Sequence, residues 1–141
     1  MFNESDLFQE AKSVGERPWG TEMLLALVSK KFTVKYLKIN KGNKGGLQYH
    51  RMKDEVAVLI SGKMMIRYDL GDGNLKEKII NPGEAVHFPP TLIHQEEALM
   101  DCEIIEASTP HFNDRVRVEE QYGLGAPKGL QSTNEEDIEI R

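Results

Sequence analysis

Two short segments of the chain hold side chains of the types that bind divalent metals. In the first segment, Gln48, His50 and Glu55 follow one another closely. Side chains alternate faces along a strand, so Gln48 and His50 share a face. We expect a two-residue turn at Lys53-Asp54 to reverse the chain and to place Glu55 on the opposite strand, near His50. An amide oxygen, an imidazole and a carboxylate would then meet, and this set suits a borderline divalent metal.

The second segment, from Asn81 to His94, supplies a fourth candidate ligand. Pro82-Gly83 is typical of a tight turn, because Pro fixes φ and Gly accepts the positive φ that a type II turn requires. A short strand follows, Pro89-Pro90-Thr91 bends the chain, and His94 comes next. A metal site needs His94 to reach the first segment from a third strand. A single His in a strand is usually a hydrogen-bonded structural residue, so the prediction depends on the whole set.

Most of the remaining sequence predicts short strands separated by tight turns. The strands are rich in Val, Ile, Tyr and Phe, and turn residues such as Ser61-Gly62 separate them. The predicted strands are Thr21–Val28, Phe32–Ile39, Gly46–Met52, Glu55–Ser61, Lys63–Asp69, Lys76–Ile80, Ala85–Pro89, Ile93–Ala98 and Cys102–Ser108. Only the termini look helical, and residues 2–12 could form one or two helical turns that end at Gly15. This pattern predicts an all-β protein, an antiparallel β-barrel of the jelly-roll type with short terminal segments.

Composition narrows the function classes. A chain of 141 residues fits one domain, and its net charge of −5 without a basic run argues against nucleic acid or an anionic membrane as partner. The one cysteine, Cys102, allows no internal disulfide, which suits a reducing compartment. The N-terminal residues do not resemble a signal peptide, and no apolar run is long enough to span a membrane. We therefore expect a cytoplasmic protein.

Both metal-ligand segments resemble the two sequence motifs of the cupin superfamily. The positions that match the first motif are Gly42, Gln48, His50, Glu55 and Gly62, and those that match the second are Gly83, Pro89, Thr91 and His94. Gln48 stands where the family usually has the first His of a pair. Thr91 and Ala98 replace a Gly and an Asn that are not metal ligands. The resemblance implies a cupin-type barrel that binds one divalent metal ion (Zn, Mn, Fe or Ni) through Gln48, His50, Glu55 and His94.

The Gln-x-His pair resembles that of mannose-6-phosphate isomerases. Arg17–Gly20, Phe32–Ile39, Leu47–His50 and Glu103–Gly123 all look like the single-cupin domain of the type II enzymes, which also occurs fused behind mannose-1-phosphate guanylyltransferases. The resemblance covers residues 17–123. It implies an N-terminal segment at 1–16, a cupin domain at 17–123 and a C-terminal tail at 124–141, which we expect to be mobile or to add to a partner's sheet. It also implies a homodimer.

The same resemblance implies an aldose–ketose isomerase acting on a sugar phosphate such as mannose 6-phosphate. Two candidates for the base that moves the proton are neutral His87 and a metal-bound hydroxide. Lys35, Lys38 and Arg67 lie on predicted strands and could reach an anionic substrate. Two alternatives stay open. One is a non-catalytic sugar-binding or accessory cupin in polysaccharide metabolism, and the other is a metal-dependent oxygenase or lyase acting on a small organic acid.

Overall fold

The structure, a computed structural model, describes residues 1–141 and consists mainly of strands. The strands are β1 (Lys12–Arg17), β2 (Gly20–Val28), β3 (Phe32–Ile39), β4 (Gln48–His50), β5 (Glu55–Ser61), β6 (Met64–Asp69), β7 (Leu75–Ile80), β8 (Ala85–Phe88), β9 (Ile93–Ala98), β10 (Cys102–Ser108), β11 (His111–Phe112), β12 (Arg115–Arg117) and β13 (Glu139–Ile140). The helical elements are single 3₁₀ turns at Glu4–Asp6, Glu119–Tyr122 and Glu135–Asp137. The all-β prediction is confirmed, and no helix is long and apolar enough to cross a bilayer.

Two antiparallel sheets face each other. The first has six strands in the order β1-β2-β3-β10-β5-β8, and the second has five in the order β12-β4-β9-β6-β7. Strands β11 and β13 form a separate two-stranded pair. Neighbours in each sheet are mostly distant in sequence, as in a jelly roll. Strands from both sheets contribute buried side chains to one shared interior.

The predicted strands agree closely with the observed ones. Strands β3, β5, β9 and β10 have the predicted bounds, and β4 is shorter than predicted. Burial alternates along β5, where Glu55, Ala57 and Leu59 are buried and the residues between them are not. This alternation explains why residue pattern alone identified the strands.

The turn predicted at Pro82-Gly83 is present. The Glu84 N–H donates to the Asn81 carbonyl at 3.0 Å, and Gly83 has φ of 90°. These are the features of a turn that needs a glycine at its third position. The turn delivers β8 into the first sheet, where it pairs with β5.

One half of the interior is apolar. Leu59 and Cys102 are fully buried, and Met64, Ile66 and Ile104 are no more than 3% exposed. Their side chains come from both sheets and form one continuous cluster. Fully burying a side chain of this size contributes roughly 1.5–3 kcal/mol, so this cluster is the main source of stability.

Of the one or two helical turns predicted within residues 2–12, the structure has one. Only the turn at Glu4–Asp6 is helical, and β1 begins at Lys12. The side-chain amide of Gln9 accepts from the Leu27 N–H at 2.7 Å and donates to the Leu27 carbonyl at 3.0 Å. These bonds hold the segment extended along β2, and Gly15 lies in a β-bulge of β1.

The C-terminal tail, which we predict to be mobile or to add to a partner's sheet, makes hydrogen bonds with its own chain. The Thr133 N–H donates to the Arg115 carbonyl at 2.8 Å, and the Arg117 N–H donates to Ser132 Oγ at 2.9 Å. Strand β13 then pairs with β11. The tail therefore supplies hydrogen bonds to β12, the edge strand of the second sheet.

Candidate metal centre

Strands β4 and β9 bring the two predicted segments together. Gln48 lies directly opposite His94 in their antiparallel pair. Directly opposed residues share a face, and His50 shares it with Gln48 by alternation. The Thr91 N–H also donates to the His50 carbonyl at 2.7 Å. Gln48, His50 and His94 therefore all project from the same face of the second sheet.

Thr91 adopts an unusual backbone conformation at this junction. Its φ is 73°, in the left-handed region that glycine adopts more easily. The superfamily motif has a Gly here, so the conformation explains the preference for Gly at this position. The strain is located in the loop that delivers His94 to the site.

Glu55 reaches the histidines by a route that differs from the predicted hairpin. Strand β4 pairs with β12 and β9, whereas β5 pairs with β10 and β8, so the two strands lie in different sheets. The loop between them crosses from one sheet to the other. Buried Asp114 holds this loop, because its carboxylate accepts from the N–H groups of Met52 and Lys53, both at 2.7 Å.

The three side chains converge on one point. Glu55 Oε1 lies 3.6 Å from His50 Nε2 and 3.6 Å from His94 Nε2. The three ligand atoms lie within 4.8 Å of one another, and all three residues are buried. Ligand atoms at tetrahedral angles around a zinc ion are roughly 3.4 Å apart when the bonds are about 2.1 Å long. The donor set and its spacing therefore fit a divalent metal.

The orientation of His94 also fits metal binding. Its Nδ1 donates to the Leu92 carbonyl at 2.9 Å, and its ring stacks on Phe88 with centroids 4.0 Å apart. This bond places the proton on Nδ1 and turns the Nε2 lone pair toward Glu55. His50 is less supported, because its buried Nδ1 has no hydrogen-bond partner.

Burial and charge set the pKa values of these groups. Burial lowers the pKa of His50 to about 4. Burial also acts to lower the pKa of His94, but the hydrogen bond and charge of Glu55 outweigh it and raise that pKa. For Glu55, burial opposes ionisation, but Lys53 and the two histidines hold the pKa well below its usual range. A neutral His50 and an ionised Glu55 are the protonation states that a metal requires.

Three further charged side chains face the same interior and were not predicted from the sequence. Lys53 Nζ bridges Glu55 Oε2 at 2.8 Å and Glu106 Oε1 at 2.9 Å. Glu96 lies two residues after His94 on β9, and therefore on the same face. Burial and the charge of Glu55 raise the pKa of Glu96 to about 7. Alternation from His94 was the signal that could have identified Glu96.

His87, the predicted base, is not part of this group. It lies on β8 opposite Val56, whereas Phe88 lies opposite Glu55, so His87 projects from the other face of the strand. Its side chain is 58% exposed, and its Nε2 contacts Asp54 Oδ1 at 2.6 Å. It lines an apolar cavity of about 270 Å³ together with Ile66 and other residues.

None of the three predicted phosphate ligands offers an unpaired cation to the metal-ligand site. Lys35 faces the interior but pairs with Glu22 at 3.4 Å. Arg67 pairs with Glu77 at 3.0 Å and with Glu97 at 2.8 Å. Lys38 is exposed and lies opposite Glu103 in the β3–β10 pair.

No protein-family model matches this chain, and no curated protein sequence matches it. Solved structures, however, match this chain. KdgF from Halomonas sp. aligns at 18% identity and a TM-score of 0.60, over 70% of this chain and 86% of KdgF. Oxalate decarboxylase from Bacillus subtilis aligns at 16% identity and a TM-score of 0.66, over 83% of this chain and 32% of that one. The capsular polysaccharide assembling protein CapF from Staphylococcus aureus aligns at 20% identity and a TM-score of 0.60, over 76% of this chain and 30% of CapF.

The chain has the cupin fold. These neighbours are cupin-fold proteins, and the predicted jelly-roll barrel is confirmed. The chain spans about a third of the CapF and oxalate decarboxylase chains and most of KdgF. One of the matching structures of oxalate decarboxylase concerns its Mn(II) centres. At these identities the likeness shows the fold alone.

Proposed function

We propose that this cupin binds one divalent metal ion through Gln48, His50, Glu55 and His94 and isomerises a sugar phosphate. The observation that carries the proposal is the convergence of Glu55 Oε1 and the two Nε2 atoms, at 3.6 Å, in a buried pocket. Zinc, manganese, iron and nickel all accept this donor set. Gln48 completes it from the same face, opposite His94.

The site holds the groups that an isomerisation needs. A divalent metal, when bound, supplies Lewis-acid polarisation of a carbonyl oxygen. Glu96 and Glu106 face the same interior, and a carboxylate there can move a proton between adjacent carbons of the sugar. We assign no step to His87, because it projects from the opposite face of β8 from Phe88, which stacks on His94.

We also propose that the protein is a cytoplasmic homodimer. Strand β1 is an unpaired edge of the six-stranded sheet, and an exposed edge favours pairing with another strand. The preceding segment exposes Phe2 at 88%, Leu7 at 63% and Phe8 at 73%. A second copy that covers the edge and these side chains would remove both from water. Sedimentation that shows only a monomer at micromolar concentration would contradict this.

A proton-exchange screen tests the proposed reaction. The protein is loaded separately with zinc, manganese, iron and nickel and incubated with hexose 6-phosphates in D₂O, and NMR follows loss of the proton on carbon 2. We expect exchange with at least one sugar phosphate. Glu55→Ala should abolish it by removing a ligand, whereas Glu77→Ala, which removes an exposed carboxylate on the outer face, should leave it unchanged. Sugar binding without exchange for any metal would instead indicate a non-catalytic sugar-binding or accessory protein.

A further inference from the structure

Arg115 lies next to the metal ligands on the inner face of the second sheet. It is directly opposite His50 in the β12–β4 pair. Opposed residues of an antiparallel pair have their Cα atoms roughly 4.5–5.5 Å apart and project to the same side. Arg115 is only partly exposed. Its guanidinium group therefore borders the space that His50 faces.

Arg115 differs from the other cations around it, because it has no side-chain hydrogen bond and no ion-pair partner. Arg117, two residues on, donates to Glu119 and to the Lys128 carbonyl. Lys53 bridges two carboxylates, and Lys35 pairs with Glu22. Arg115 is partly buried, but none of its unpaired guanidinium nitrogens is fully buried, so these donors are accessible to water or to a ligand.

The nearest carboxylates are already bound by other groups. Glu55 and Glu22 are near enough for their negative charges to interact with the positive charge of Arg115. Glu55, however, is held by Lys53 and the two histidines. Glu22 is held by Lys35, with Arg17 at 4.0 Å. The guanidinium stays charged at neutral pH, because its ordinary pKa is far above 7. Its donors are consequently available to an anion from outside the chain.

The backbone that carries Arg115 is fixed on both sides. The carboxylate of Asp114, the preceding residue, holds the N–H groups of Met52 and Lys53. The Arg115 carbonyl accepts from the Thr133 N–H. A side chain on a fixed backbone loses less freedom when it binds a ligand. The backbone of Arg115 is thus held on both sides, and its partly buried side chain borders the site.

We propose that the Arg115 guanidinium binds the anionic oxygen group of the substrate while the sugar's oxygens face His50, Glu55 and His94. The planar fork of an arginine donates two parallel hydrogen bonds, which suits a phosphate monoester or a carboxylate. This inference rests on the proposed function in taking the sugar to lie at the metal ligands. It assigns the anion to a residue outside both sequence motifs.

Calorimetric titration of the metal-loaded protein with paired ligands tests the assignment. The pairs are mannose 6-phosphate with mannose, and glucuronate with glucose, so that phosphate, carboxylate and no charge are compared. Arg115→Gln should weaken binding of at least one anionic ligand by about 10-fold to 100-fold, because hydrogen bonds to charged groups are strong. Arg115→Lys should restore part of the affinity. Binding of the uncharged sugar and of the metal should not change.

Lys38→Gln is the matched control, since it removes one positive charge from an exposed position on the outer face. Equal losses for Arg115→Gln and Lys38→Gln, or an unchanged affinity for both anionic ligands in Arg115→Gln, would overturn the assignment. Repeating the titration with inorganic phosphate on metal-free protein separates the two proposals. Arg115-dependent phosphate binding in a protein that takes up no metal would support the anion site and contradict the proposed function.

Discussion

The two halves of the barrel interior are built from the same strands but have opposite chemistry. Strand β5 begins with Glu55 and continues with buried Ala57 and Leu59. Strand β10 runs the other way, from buried Cys102 and Ile104 to Glu106 and Ser108. Their antiparallel pairing aligns the polar ends with each other and the apolar ends with each other. Stability and chemistry are thereby separated along each strand.

The two halves differ in the free-energy terms that determine their stability. The apolar half gains free energy from burial alone. The polar half buries charges, which is costly unless each one is paired. Lys53 compensates Glu55 and Glu106, whereas Arg115 and the Nδ1 of His50 lack partners. Both of these groups lie in the polar half, which is the half that we expect to bind ligands.

The largest effect on stability should come from the apolar half. Leu59 is fully buried in the core cluster, so Leu59→Ala should lower the free energy of unfolding by about 2–5 kcal/mol through lost burial and a new cavity. Urea unfolding measures this. Metal stoichiometry of the folded variant should stay at the wild-type value. A loss of metal binding in the folded variant would show that the two halves are not independent.

The pH dependence of metal affinity should distinguish the two histidines of the polar half. Protons compete with the metal, and the pKa of His94 is raised above 6.5 whereas that of His50 is about 4. As the pH falls through the pKa of His94, affinity should drop about tenfold per pH unit. A second proton should steepen the slope only near pH 4. Titrations with manganese across this range measure the slope in a Glu96→Gln background, where that carboxyl group cannot titrate, and a two-proton slope near pH 6 there would contradict the separation of the two histidine pKa values.

Gln48 should contribute least among the four ligands. A neutral amide oxygen is a weaker donor than an imidazole for zinc or iron, so Gln48→Ala should weaken metal binding less than His50→Ala or His94→Ala, by about tenfold or less. Gln48→His should tighten it by adding an imidazole opposite His94. The same metal titrations test both variants. If the metal affinity of both variants equals that of the wild type, Gln48 is not a metal ligand.

The smallest effect should come from the strained loop beside the metal ligands. Thr91 has φ of 73°, and Thr91→Gly should relieve about 1–2 kcal/mol of strain while adding freedom to the unfolded chain. The net gain in unfolding free energy should be about 1 kcal/mol or less. Thr21→Gly, in strand β2 and without a side-chain hydrogen bond to lose, should instead destabilise. If Thr91→Gly destabilised the protein equally, the strain would be absent.

The local sequence pattern predicted the strands, but it did not predict which distant strands pair. Alternation and turn residues identified the strands, and alternation placed Gln48 and His50 on one face. The hairpin to Glu55 was wrong, because the choice between turning back and crossing to the other sheet depends on Asp114, far along the chain. Arg115 was missed for the same reason, since only the pairing of β12 with β4 places it opposite His50.

Metal stoichiometry tests the central claim most directly. Wild-type protein and the His50→Ala, His94→Ala and His111→Ala variants are each incubated with zinc, manganese, iron or nickel, desalted and analysed for bound metal. We expect close to one ion per chain in the wild type and in His111→Ala, whose histidine lies outside the site, and little or none in the other two. All four proteins should show the same strand-rich circular dichroism spectrum. A wild type that takes up none of the four metals, or His50→Ala and His94→Ala variants that bind as the wild type does, would contradict the metal site.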